Sequence, residues 1–300
     1  MLRIGLFLMT NLAVIMLASI TLQLLGVETL LHENGVDLDL GSLLVFCAVF
    51  GMAGSLISLL MSKSMARRAM GVKVIDQAQG QREQWLVNTV QKLAMDAGIG
   101  MPQVGIFPSQ TANAFATGWN KNNALVAVSE GLLNRMNADE VKAVLGHEIG
   151  HVANGDMVTL GLIQGVTNTF VMFGARVLGH VADRVIFRTE RGYGPGYWIV
   201  TLLAQFVLGI LASMIVMWFS RWREFRADNA GAELAGRQHM IDALRRLGNE
   251  SDVPKGMPAE LSAFAISGEV RDKVSRLFMS HPPLADRIEA LQQQQDSRRQ

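Results

Sequence analysis

Gly146-His147-Glu148-Ile149-Gly150-His151-Val152-Ala153-Asn154-Gly155-Asp156 is the stretch on which the reading of this chain turns. Within it, His147, Glu148 and His151 fit the pattern H-E-x-x-H. On an α-helix, residues four apart return to nearly the same face, so the two imidazoles can hold one metal ion between them. The glutamate one step along reaches the water that such an ion carries and suits a general base. Three fixed positions make a short pattern, and the flanking residues give it weight. Asn137 with Glu140 three residues later predicts an N-cap with a capping box. Val141, Val144, Leu145 and Val152 predict a buried stripe, and Asn154-Gly155 predicts the stop. The motif therefore belongs in the last turns of a half-buried helix.

A catalytic zinc needs a third protein ligand and an open position for water. Downstream, Arg223-Glu224-Phe225-Arg226-Ala227-Asp228 puts Glu224 and Asp228 four apart on one helical face. Glu224 can ligate the metal, and Asp228, one turn on, can accept the free N–H of a ligand histidine. Alone, this stretch reads as a solvated face with charge pairs. Beside an H-E-x-x-H motif it reads as the rest of a metal centre. Near the end, Ser280-His281-Pro282-Pro283-Leu284 sets His281 at a junction fixed by two prolines, ahead of a predicted helix over residues 284–291. Spacing makes His281 only a candidate for the donor that stabilises a tetrahedral oxyanion. His32, His180 and His239 have no partner pattern and are read as surface residues.

Composition supplies the setting. Half of the 300 residues are hydrophobic and 18% are charged, which excludes an intrinsically disordered chain. The single cysteine, Cys47, excludes a disulfide scaffold, and a net charge of +1 gives no electrostatic reason to expect nucleic acid. The apolar surplus is concentrated in blocks. Residues 4–25 and 40–61 each have about the twenty residues that a membrane-crossing helix needs. The first is too long for the apolar core of a signal peptide and lacks a small-residue cleavage site, so it is expected to be an uncleaved anchor. The connecting loop carries Glu28, Glu33, Asp37 and Asp39 without Lys or Arg. Arg3 precedes the first block, and Lys63, Arg67, Arg68 and Lys73 follow the second, so both flanks are expected in the cytoplasm.

A second apolar pair covers residues 157–175 and 198–219. Arg176, Arg184, Arg188 and Arg191 lie between them, against the positive-inside tendency. Either the pair spans despite the rule, which is favoured, or it dips into the bilayer or packs on protein. In each case the segments before and after it share one compartment. Residues 1–62 are thus two N-terminal transmembrane helices with a short external loop, and residues 157–220 a second hydrophobic hairpin. Residues 63–156 and 221–300 are two parts of one cytoplasmic domain. In that domain residues 83–97 have helical periodicity, and residues 103–107, 112–117 and 124–128 read as short strands, with a turn at Asn120, Asn122 and Asn123. The expected fold is an α-helical membrane protein with about four hydrophobic helices and a mixed α/β, mostly helical domain around a small β-sheet.

The stretch at 146–156 (GHEIGHVANGD), together with 223–228 (REFRAD), 113–118 (NAFATG) and 280–291 (SHPPLADRIEAL), resembles the HtpX family of bacterial membrane metalloproteases. That family is akin to the membrane prenyl-protein proteases of eukaryotes, and the likeness covers nearly the whole chain. The resemblance implies a gluzincin-type zinc endopeptidase, one with a glutamate among its ligands, in the bacterial cytoplasmic (inner) membrane. It implies that the enzyme cuts damaged or misfolded membrane proteins at the cytoplasmic face, in stress response and quality control. By the same resemblance, His147, His151 and Glu224 hold one Zn2+ per chain and Glu148 is the base. Asp228 supports a ligand, His281 is the transition-state donor, and Asn113, Ala114, Phe115 and Ala116 form the strand that pairs with substrate backbone. The implied partners are membrane-protein substrates and the lipid bilayer, with no nucleic acid. Residues 176–191 and 229–270 match no motif. Two rival readings are weaker. A non-catalytic adaptor or chaperone with a structural zinc site usually closes that site with four ligands, often cysteines, and needs no Glu148. A transporter needs ionisable groups in its spans, and the second pair has none before Arg176.

Overall fold

A computed structural model describes residues 16–17, 19–33, 36, 38–190, 192–250 and 281–297. Most of the first apolar block, residues 4–25, lies outside them, and within it residues 19–24 are helical. The chain divides into two compact units. One comprises Met1–Ser58 with Gly161–Val216, the other Leu59–Leu160 with Met217–Gln300.

The first unit is built from apolar helix. Among the described residues three helices are long and apolar enough to cross a membrane: Leu40–Ala69, Asp156–Ile186 and Pro195–Ala235. Their outward faces expose Val49, Phe50, Leu202, Leu203 and Phe206, a surface suited to lipid rather than water. Among the described residues several polar groups inside the unit are paired, as burial away from water favours, while the buried Thr201 Oγ1 meets no hydrogen-bond partner. The Ser55 hydroxyl donates to the Gly161 carbonyl, and the Thr169 hydroxyl donates to the Gly165 carbonyl at 2.9 Å. The second helix ends in a π-turn, Ala182–Ile186, that aims buried Asp183 at the start of the third. Asp183 accepts from the backbone N–H groups of Gly194 at 2.9 Å and Tyr197 at 3.2 Å, supplying a cap to the helix that begins at Pro195. His180 is a correction to the sequence reading. It is half-buried, its ring 5.2 Å from that of Tyr193 and 4.8 Å from that of Tyr197. His239 is half-buried as well, with Nδ1 2.9 Å from the Ala235 carbonyl; His32 is exposed.

The second unit holds a four-stranded sheet in the order β1-β2-β4-β3. The strands are β1 (Lys73–Val74), β2 (Gln103–Phe107), β3 (Ala114–Asn120) and β4 (Asn123–Ser129). β2 runs parallel to β4, while β1 on β2 and β3 on β4 are antiparallel. β4 is central, and every residue from Ala124 to Ser129 is buried, as expected of a strand covered on both faces. β3 is an edge. The periodicity over 83–97 appears as the helix Gly80–Asp96, with Leu86, Val90, Leu93 and Ala94 buried.

The helix Ala138–Asn154 carries the H-E-x-x-H motif and packs on β3, β4 and the helix Arg237–Glu250. Its ends are fixed locally. The Asn137 side chain accepts from the amides of Asp139 and Glu140, and Glu140 reaches back to the Asn137 N–H at 3.0 Å. At the other end Gly155, at φ 70°, takes the left-handed conformation that closes the helix. Leu145 and Ile149 on its inner face join Val126, Val128, Leu132, Ile241 and Leu244 in one core.

The Pro195–Ala235 helix lies directly against this motif helix. A Cβ placed on Gly150 would stand 2.6 Å from the Ala230 Cβ, and one on Gly231 3.1 Å from the His147 backbone nitrogen. Only residues without a side chain permit such an approach. Backbone contact of the two helices is what sets Glu224 and Asp228 opposite the two histidines.

Candidate metal centre

The motif helix offers His147 and His151, and the helix facing it offers Glu224. One donor atom from each of these three residues lies within 4.8 Å of the others. His147 Nε2 is 3.6 Å from Glu224 Oε2, and His151 Nε2 is 3.3 Å from Glu224 Oε1. The opposite ring nitrogens face carboxylates. His147 Nδ1 lies 3.0 Å from Asp228 Oδ1, and His151 Nδ1 lies 2.7 Å from Asp156 Oδ2. An ionised carboxylate can only accept, so each Nδ1 carries a proton and donates it. Both Nε2 atoms are thereby directed to the shared space between the helices, where a metal ion would take the place of a proton on them.

The helix Leu284–Ser297 closes the far side with Arg287, which is 5% exposed. Its Nε donates to Asp228 Oδ2 at 2.7 Å and its Nη2 to Asp228 Oδ1 at 2.5 Å, a two-pronged grip that fixes the carboxylate plane. Its Nη1 is also 3.5 Å from Glu224 Oε2. His281 lies at the rim, with a side chain 62% exposed and Nδ1 2.6 Å from Glu224 Oε2. Glu148, half-buried on the motif helix, is close enough for its charge to raise the pKa values of both His151 and Arg287.

The electrostatics suit a cation. Burial alone would raise the Glu224 pKa, but hydrogen bonds from His151 and His281 and the charge of His147 outweigh it and hold the carboxyl far below its ordinary range. Burial is likewise overcome at Asp228, where hydrogen bonds from Arg287 and then His147 keep it ionised. At His151 burial opposes protonation, but hydrogen bonds with Asp156 and Glu224 prevail and push the pKa up to about 9. A proton and a metal compete for the same imidazole nitrogen, so a site that attracts the one also attracts the other. Two imidazoles and one carboxylate, with carboxylates behind both rings, form a donor set that fits zinc with a coordination position left over.

Ala114, Phe115 and Ala116 open β3, and Asn113 immediately precedes it. The Asn113 N–H donates to Ser129 Oγ at 3.0 Å; β3 pairs with β4 along one side and its other side is the edge of the sheet. Two residues at the centre escaped sequence reasoning. Arg287 stands inside the proline-led segment, but nothing in its spacing ties it to Asp228. Asp156 follows the helix-ending glycine, and its position five residues after His151 falls outside any helical register.

Residues 80–295 match the model of Peptidase family M48. The chain is 63% identical over 291 residues to Protease HtpX of Pseudomonas syringae pv. tomato, covering 97% of this chain and 99% of the other. It is 61% identical over 293 residues to Protease HtpX of Pseudomonas putida, covering 98% and 99%. The fold is similar to that in the crystal structure of S. mikatae Ste24p, with a TM-score of 0.60 at 18% identity, covering 94% of this chain and 67% of the other.

Proposed function

The chain belongs to peptidase family M48 and, within it, to the HtpX membrane metalloproteases, and on that premise we propose a zinc endopeptidase that cuts damaged or misfolded membrane proteins at the cytoplasmic face of the inner membrane. The observation that carries the proposal is the convergence of His147 Nε2, His151 Nε2 and the Glu224 carboxylate on one buried locus, with Glu148 on the same helix. These three residues would hold one zinc ion per chain. The chemistry that zinc supplies in such a setting is polarisation of the scissile carbonyl and acidification of a water molecule. Glu148 takes the water's proton and later delivers it to the leaving amine. Asp228, held by Arg287, keeps the His147 ring turned toward the metal. His281, exposed at the rim, donates to the oxygen on which negative charge develops. Ala114, Phe115 and Ala116, at the sheet edge preceded by Asn113, bind the substrate as an added strand through main-chain hydrogen bonds, which suits broad sequence tolerance.

Placement near the bilayer is supported by a single element. The helix Pro195–Ala235 is uninterrupted, and Glu224 follows the apolar stretch 198–219 by five residues. At 1.5 Å per residue the ligand stands about 7–8 Å along the helix from that stretch. The positive residues Lys63, Arg67, Arg68 and Lys73 support a cytoplasmic location for this side. The test is chelation and add-back in detergent, following cleavage of a loosely folded membrane substrate and of the protease itself. Zinc is expected to restore cleavage. Cleavage that survives chelation, or a zinc-loaded protein that cuts nothing, refutes the proposal.

A further inference from the structure

Each histidine of the metal centre has a carboxylate behind it, but the two carboxylates come from different places. Asp228 stands one turn beyond Glu224, on the helix that supplies the third ligand. Asp156 is on neither helix of the centre. It is the first residue of the apolar helix Asp156–Val181, just past the left-handed Gly155 that ends the motif helix. The reversal at Gly155 turns the Asp156 side chain back under His151, to 2.7 Å from Nδ1, and Asp156 is only 2% exposed.

We infer that Asp156 is the positioning residue for His151, fixing the ring so that Nε2 faces the metal, as Asp228 does for His147. Three observations support the assignment. The contact is shorter than the 3.0 Å between His147 and Asp228. Burying a carboxylate this deeply is unfavourable unless it is paired, and His151 is the partner its oxygen meets. The backbone of Asp156 is itself held from the facing helix by Arg223, a buried guanidinium. Arg223 Nη2 donates to Ser220 Oγ at 2.8 Å and Nη1 approaches the Asp156 carbonyl at 3.5 Å. Its Nε meets no hydrogen-bond acceptor among the described residues, so this arginine keeps a buried donor unused at that place. The inference rests on the metal centre proposed above and adds a residue that the H-E-x-x-H pattern does not contain.

The experiment compares Asp156→Ala and Asp156→Asn with the parent, all carrying Glu148→Gln so that the chains stay intact. Zinc affinity is measured by competition with a chelator. Cobalt(II) uptake is followed by its visible absorption, and the metal-free proteins are melted in detergent. Asp156→Ala is expected to weaken zinc binding toward the upper part of a roughly 10–100-fold range, because the ring loses the carboxylate behind Nδ1. Asp156→Asn keeps an oxygen that accepts from Nδ1 but loses the charge, so about 10-fold is expected, with shifted cobalt bands in both variants. If the alanine variant fails to fold, the isosteric asparagine variant decides alone. Zinc affinity within about twofold of the parent, with unmoved cobalt bands, overturns the inference even when the melting temperature falls. A parent that takes up no zinc overturns the metal centre, and this inference with it.

Discussion

Replacing Arg287 with methionine removes a buried guanidinium and leaves Asp228 without either of its hydrogen bonds from Arg287. Methionine fills most of the volume, so the change isolates charge and hydrogen bonding from packing. Each hydrogen bond to a charged group contributes about 1.5–3 kcal/mol, which puts the pair at roughly 3–6 kcal/mol. Breaking a buried ion pair on one side costs about 3–5 kcal/mol by an independent route, because the remaining charge stays desolvated. The two figures agree, and about 4 kcal/mol is the working value. For a domain of this size each kcal/mol moves the midpoint by about 2–4 °C, so a fall of roughly 8–16 °C is expected for the metal-free protein in detergent. Arg287→Lys keeps the charge but loses the fork, and should fall between parent and methionine variant. If Arg287 acts through Asp228, the methionine change costs less when Asp228→Asn is already present. A methionine variant that melts within about 2 °C of the parent would refute the reasoning, since it would show Asp228 content without its partner.

Glu148→Gln is expected to lower turnover by at least about 10²-fold while zinc stays near one per chain; loss of the zinc would reassign the residue. Glu224→Ala should lose zinc and activity together, whereas Asp228→Asn weakens zinc affinity by about 10–100-fold, and equal, negligible zinc loss in both would remove Glu224 from the ligand set. His281→Phe should keep its zinc and lose mainly kcat, and an unchanged kcat would take His281 out of the mechanism. A cleavage site moved outward along a membrane-tethered linker should be cut less once it passes beyond the bilayer surface. Equal cutting of tethered and soluble versions at matched effective concentration would count against a juxtamembrane site.

The motif helix could be read almost residue by residue because its signals are local. Asn137, Glu140 and Gly155 act on backbone within four residues of themselves, and their geometry is the one expected of a capping box and a left-handed stop. β2 appeared at its expected residues for a similar reason, as a short apolar run between turn formers. β1 did not, since two residues carry no periodicity and its pairing depends on distant Gly105 and Ile106. The long helix has an apolar run that stops at residue 219, and beyond it the four-residue spacing of Glu224 and Asp228 is what marks helix in the sequence. Its continuation to Ala235 is half-buried against the motif helix and mixes charge with small residues. At the centre, Glu224 and Asp228 could be picked out because four-residue spacing puts them on one face. Asp156 and Arg287 could not. Their parts depend on a chain reversal in one case and on a contact across 59 residues in the other.

The backbone contact at Gly150 and Gly231 has a thermodynamic consequence. Two helices in contact with nothing larger than the Ala230 methyl group between them at these points have little softer approach left to them, so the gap between the histidines and Glu224 is set largely by hard atomic radii. Ordering a free side chain on binding costs about 0.5–1.5 kcal/mol. Here that loss of rotational freedom is incurred when the chain folds rather than when an ion arrives. An ion entering the proposed centre would therefore meet donor groups that need little rearrangement, and its affinity would reflect bond formation with little entropy subtracted. The same rigidity limits choice: an ion whose bond lengths do not match the gap cannot be accommodated by breathing of the helices.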